Sequence, residues 1–175
     1  DKYMVEKNKK YEANDILMNF VDNHDENSWN GTISSRLGEA EEAMTALTYV
    51  MPGMPLVYSG NEYGLNHSLK FFEKDSIPKV KGKDWELRAK LGQLKKDNPA
   101  LNGGKNPAGF NRINTSSDST ILAFEREKEG KKVIYVANLS KTNQKVKLEI
   151  SGTFTNFMTN EKVTFSKGKE ISFEP

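Results

Sequence analysis

The sequence contains no cysteine among its 175 residues, which excludes disulfides, thiolate-bound zinc and a cysteine nucleophile. Its two histidines are too few for an imidazole-rich metal site. No apolar run approaches the roughly 20 residues of a membrane-crossing helix, and the opening residues Asp1-Lys2-Tyr3-Met4-Val5-Glu6-Lys7 lack the apolar centre of a signal peptide. Charge of one sign is missing too, with 26 Lys and Arg against 24 Asp and Glu. Residues 1–100 carry 14 basic and 16 acidic side chains, net −2, leaving 12 and 8, net +4, for the rest. Between Glu12 and Glu62 the single basic residue is Arg36 among nine acids. That stretch repels phosphate backbones, so nucleic acid is not an expected ligand. Length is the last shortage. A complete eight-stranded α/β barrel takes roughly 250 residues, so any barrel signal here belongs to part of a larger chain. The start at Asp rather than Met gives the same expectation.

What is present reads as alternating elements followed by short strands. Ile16–Val21 is a nearly continuous apolar run, expected to be a strand buried on both faces of a parallel sheet. Ala40, Ala43, Met44, Leu47 and Val50 recur at helical spacing behind Glu39, Glu41 and Glu42 and stop near Pro52-Gly53. Pro55–Tyr58 predicts a second short strand. A further helix starts near Trp85, with Leu87, Leu91 and Leu94 on one face, and ends at Asn98-Pro99. Strand, helix, strand, helix implies right-handed crossovers and a parallel sheet, whose functional groups sit in the loops at the strands' carboxyl ends, here 22–35 and 59–78. Past Asn102-Gly103-Gly104-Lys105 the pattern becomes period-two runs at 120–126, 133–139, 145–150, 153–158, 163–165 and 171–173. Turns are expected at Glu129-Gly130, Ser151-Gly152 and Lys167-Gly168. The expected fold class is therefore α/β plus all-β, with residues 1–104 as the α/β part and 105–175 as an antiparallel β-sandwich.

Asp22-Asn23-His24-Asp25 places two carboxylates, an amide and an imidazole where a buried strand ends. Carboxylates accept hydrogen bonds from sugar hydroxyls and imidazole can donate to them, so the set suits a hydroxyl-rich substrate. The alternative is that Asp22 and Asn23 merely cap a loop. Trp29 offers a ring for a pyranose face or for its neighbours. Arg36 is either the orienter of an acid or a solvated side chain at a helix start.

These residues resemble the α-amylase superfamily, glycoside hydrolase family 13. Phe20-Val21-Asp22-Asn23-His24-Asp25 looks like the signature ending the seventh barrel strand of that family, and 23–32 resembles its bacterial amylase members. Pro52-Gly53 through Gly60-Asn61-Glu62 resembles the eighth-strand motif, Phe71–Ile77 the loop after it, Trp85–Leu101 the eighth helix, and 105–175 its β-sandwich, domain C. The resemblance implies the last two β/α units of a TIM-type barrel followed by domain C, from an enzyme cleaving α-1,4-glucans such as starch and maltooligosaccharides by a retaining mechanism.

It further implies that Asp25 stabilises the transition state and that His24, with Asn23, Trp29 and Arg36, binds substrate, Glu62 being structural near the site. A retaining glycosidase also needs a nucleophile and an acid/base carboxyl about 5–5.5 Å apart. In the family these lie on the fourth and fifth strands, and no segment here matches them, so this chain alone is expected to be inactive. No cofactor or metal is expected in it; the calcium the family commonly binds belongs near a domain inserted after the third strand. Expected partners are an α-glucan and the remainder of the barrel, with no membrane segment, and self-association for the isolated chain. The compartment is left open, the family leaning to a periplasmic or extracellular one. Two other functions stand beside this: a non-catalytic carbohydrate-binding or scaffolding module, and a metal phosphohydrolase of the His-Asp type, which lacks histidines beyond His67.

Overall fold

The computed structural model describes residues 2–12 and 14–175. The chain divides into two compact units, Asp1–Gly109 with Arg126–Val133, and Phe110–Glu125 with Ile134–Pro175.

The first unit opens with helix α1, Lys2–Lys10, where the sequence reads as a polar lead-in. It has no apolar stripe and buries none of its residues. Lys, Glu and Met are good helix formers, and Lys7, Lys9 and Lys10 in the last turn complement the negative end of the helix dipole. Strand β1 (Met18–Asn19) and strand β2 (Met54–Pro55) pair in parallel, Met18 beside Met54 and Asn19 beside Pro55. Helices α2 (Ile33–Leu37) and α3 (Glu41–Val50) connect them. Thr32 caps α2 through its hydroxyl oxygen, which accepts from Ser35 N at 3.2 Å. Glu41 and Glu42 occupy the positive first turn of α3. Gly53 then turns the chain with φ 115°, and a Cβ there would lie 2.2 Å from Leu17 O, so only glycine lets β2 approach β1 this closely. Helix α4 (Lys83–Asp97) stops at Asn98, whose side chain caps the following turn by accepting from Ala100 N.

The expectation that residues 16–21 are buried on both faces is overturned. Ile16, Met18 and Phe20 are exposed and alternate with half-buried Leu17, Asn19 and Val21. The regular strand is also only two residues long. Met54, which pairs beside Met18, is exposed as well, so among the described residues this side of the two-stranded sheet presents apolar side chains to solvent.

Two cations, half-buried Lys95 and buried Arg126, close the carboxyl end of α3. Lys95 Nζ donates to Tyr49 O (3.1 Å) and Leu101 O (2.9 Å). Arg126, fully buried, donates to Val50 O and Gly109 O (both 2.8 Å), Ala108 O (3.1 Å) and Asn102 O (3.3 Å). Cations satisfy the carbonyls that a helix end leaves unpaired. Burial, with Arg126 nearby, pulls the Lys95 ammonium down to about 8, and burial lowers Arg126 to about 10.

The second unit draws on strands β3 (Gly109–Arg112), β4 (Ile121–Lys128), β5 (Lys131–Asn138), β6 (Gln144–Lys147), β7 (Gly152–Thr155), β8 (Lys162–Phe165) and β9 (Glu170–Phe173). They form sheets ordered β3-β4-β5, β6-β9 and β7-β8, the last two antiparallel. The β4–β5 turn has φ 54° at Glu129 and 71° at Gly130, the left-handed pair that suits a two-residue hairpin. Ile113, Ile121, Ala123, Val146 and Leu148 form the core, with Ile134, Val136, Ile150, Phe165 and Phe173 packed on it. Residues from all three sheets thus meet in one apolar layer, as in a β-sandwich.

Candidate active site

The chain leaving β1 turns at once. Asn23 Oδ1 accepts from Glu26 N at 2.8 Å and starts a π-helical turn, Glu26–Asn30, which ends at Gly31 with φ 98°. Such turns recur at functional sites because the wider coil re-aims side chains.

Asp22 is the anchor of this region. It is 0% exposed. Oδ1 accepts from Arg36 Nη2 at 2.8 Å, and Oδ2 accepts from Asn61 Nδ2 at 3.0 Å and Asn27 Nδ2 at 3.4 Å. Arg36, its side chain 20% exposed, also donates to Val21 O and Gly31 O and lies 3.6 Å from Glu26. The solvated reading of Arg36 is therefore wrong: the guanidinium orients an acid, and that acid is Asp22. Asn61 Oδ1 accepts from Tyr58 N, and Asn27 Oδ1 from Leu69 N at 2.7 Å. One buried carboxylate thus holds together the loops that follow β1 and β2. A buried charge is stable only when paired and hydrogen-bonded, and all its partners belong to this unit.

With Asp22 turned inward, His24 and Asp25 stand outward. His24 Nε2 lies 3.6 Å from Asp25 Oδ2, and both side chains are about two thirds exposed, at 65% and 64%. Trp29 is exposed beside Phe71, ring centres 5.5 Å apart, and Phe71 lies 5.9 Å from His24 and 4.8 Å from Phe72. Glu62 stands apart from this group. Its Oε2 accepts from Gly60 N at 3.0 Å, closing its own turn. The structure so brings His24, Asp25 and Trp29 to one surface and puts Asn23 and Arg36 beneath it. Among the described residues no group of three or more His, Asp or Glu could hold a metal ion, and no helix is long and apolar enough to cross a membrane.

Sequence reasoning missed Asn27, Asn61, Phe71 and Phe72 as members of this region. Nothing marks Asn27 among the neighbouring asparagines at 23 and 30; its partners, Asp22 and Leu69 N, are set by the fold. Phe71-Phe72 carried a signal, two adjacent aromatics in a charged loop, which no helix or strand period explains.

No protein-family model and no curated protein matches the chain. Solved structures do. A maltogenic α-amylase of Thermotoga neapolitana matches 99% of this chain with a TM-score of 0.83 at 19% identity, over 42% of its own length. An α-amylase of Lactobacillus plantarum matches 99% with a TM-score of 0.73 at 16% identity, over 40% of its length. One from Geobacillus thermoleovorans, in complex with acarbose, matches 98% with a TM-score of 0.69 at 18% identity, over 40% of its length. The chain spans about two fifths of these relatives. From end to end it has the fold of a portion of α-amylase structures, the same family that its motifs at 20–25 and 52–62 resemble.

Proposed function

We propose that the chain is the last two β/α units and domain C of an α-amylase-type glycoside hydrolase that cleaves α-1,4-glucans with retention. The observation that carries the reading is the outward pair His24–Asp25 at the carboxyl end of β1, in a chain folded like part of known α-amylases. In retention, a nucleophilic carboxylate displaces the leaving sugar, an acid protonates the departing oxygen, and water then releases the glycosyl-enzyme. Both carboxyl groups would come from barrel strands outside this chain. Asp25 would face the positive charge developing on the anomeric carbon, while His24 donates to hydroxyls of the same sugar. Asn23 shapes the turn that presents them, and Asp22 with Arg36 fixes its base.

The test is hydrolysis of a chromogenic maltooligosaccharide by the complete barrel containing these residues. Asp25→Asn should lower kcat by at least about 100-fold, the scale of losing one transition-state contact, without lowering the melting temperature. Residues 1–175 alone should show no turnover. Turnover by the isolated chain, or an Asp25→Asn enzyme of normal kcat, refutes the assignment. The binding-module alternative has less support: among the described residues of 105–175 the only exposed large aromatic is Phe157.

A further inference from the structure

Asparagine followed by glycine occurs twice in the chain, at Asn30-Gly31 and Asn102-Gly103. Glycine has no side chain to shield its backbone nitrogen, so in such a pair that nitrogen can reach the carbonyl carbon of the preceding asparagine side chain. The fold holds the two pairs very differently.

Asn102 is locked. Its Oδ1 accepts from Gly104 N at 3.0 Å, and its Nδ2 donates to Asn106 O at 3.2 Å and Lys105 O at 3.3 Å. Its backbone is held as well, N donating to Pro99 O and O accepting from Ala108 N, both at 3.0 Å, and from Arg126 Nη2 at 3.3 Å. Gly103 is pressed on Gly53, where an added Cβ would lie 1.9 Å from Gly53 O.

Asn30 is exposed at the end of the π-helical turn, and Gly31 follows it with φ 98°. Among the described residues its side chain makes one hydrogen bond, Nδ2 to Glu26 Oε2 at 3.1 Å. That bond lies on the surface, where water competes for both ends.

We propose that Asn30 is a deamidation site, with water as the co-reactant. The Gly31 nitrogen bonds to Asn30 Cγ as it loses its proton, and the Cγ–Nδ2 bond breaks to release ammonia, leaving a five-membered succinimide. Water then opens the ring at either carbonyl, giving aspartate or isoaspartate. One amide and one water become one carboxylate and one ammonium ion, with nothing oxidised or reduced.

The product bears on the turn that carries His24 and Asp25. The new carboxylate faces Glu26 in place of the lost hydrogen bond and is repelled by it. Isoaspartate also lengthens the backbone by a methylene just before Gly31, whose carbonyl accepts from Arg36 Nε at 3.1 Å. Arg36 in turn holds Asp22 at 2.8 Å, so ageing at Asn30 loosens the base of the candidate site. This chemistry is the same whatever substrate the whole protein acts on.

The 175-residue protein is incubated in mildly alkaline buffer, folded and in urea, and its peptides are sequenced by mass spectrometry at intervals. In urea the two pairs should convert at similar rates. In the folded protein Asn30 should convert at least about tenfold faster than Asn102, which must break two further side-chain hydrogen bonds to react. Isoaspartate at position 30 should accompany a fall in melting temperature. Asn30→Gln, a change at an exposed position whose longer side chain cannot form the five-membered ring, should keep its melting temperature through the same incubation. A folded rate ratio no greater than the ratio in urea overturns the site, as does a folded protein in which Asn30 does not convert. A parent protein that converts at Asn30 and keeps its melting temperature, or an Asn30→Gln protein that loses it equally, overturns the link to Arg36.

Discussion

Replacing Asp22 by Ala removes the acceptor of three hydrogen bonds at a fully buried point. Breaking a buried ion pair from one side costs about 3–5 kcal/mol, because the remaining charge is left unpaired. Arg36 softens this. It keeps the carbonyls of Val21 and Gly31 and is 20% exposed, so water reaches it. Asn61 and Asn27 each lose an acceptor, at about 1 kcal/mol for the shorter bond and less for the 3.4 Å one. The lower end of the range follows, about 3 kcal/mol. Urea unfolding followed by circular dichroism measures it as a fall in midpoint at constant slope. A double-mutant cycle with Arg36→Met isolates the pair and should give a coupling above about 1.5 kcal/mol. A loss under about 1 kcal/mol in Asp22→Ala, or additive single effects, refutes the view that this carboxylate holds the two loops together.

Arg126→Met should cost about 3 kcal/mol in the same assay, since four carbonyls lose their donor; a loss under 1 kcal/mol counts against the anchor. Lys95 binds its proton less tightly folded, at about 8, than unfolded, at 10.5. Above pH 8 the unfolded chain therefore holds more protons, so stability should rise from about pH 8 towards 10. Lys95→Met should flatten that rise, as checked by melting temperature against pH; an unchanged slope refutes the assignment. The exposed side chains of Ile16, Met18, Phe20 and Met54 present apolar surface to solvent, so the isolated chain should self-associate in light scattering. A stable monomer at high concentration contradicts this.

Local periodicity carried much of the fold. The α3 and α4 helices, the strands at 121–128 and 144–147, and the turns at 129–130, 152 and 168 follow from spacing and turn chemistry. Helix α1 was illegible because it buries none of its residues and its apolar side chains, Tyr3, Met4 and Val5, are consecutive rather than at helical spacing. Burial of 16–21 was misread because a continuous apolar run reports what a strand is made for, while its burial depends on neighbours that two strands do not supply. In the candidate site, the loop position of Asp22–Asp25 was legible. The direction of each side chain was not. Asp22 and Asp25 are three residues apart and chemically identical, yet one is fully buried against Arg36 and the other is exposed. That choice depends on Asn61 and Arg36, 39 and 14 residues away from Asp22.

The Arg126–Val50 hydrogen bond also sets a schedule. Its partners are 76 residues apart, so a ribosome working at about 5–20 residues per second needs roughly 4–15 s to deliver the donor after the acceptor. Until then helix α3 lacks its last cap, and Gly109 and Ala108 lack theirs. The first unit is thus finished by a hairpin made after most of it has been synthesised, and a nascent chain stalled before residue 126 would present a frayed helix end to chaperones and proteases.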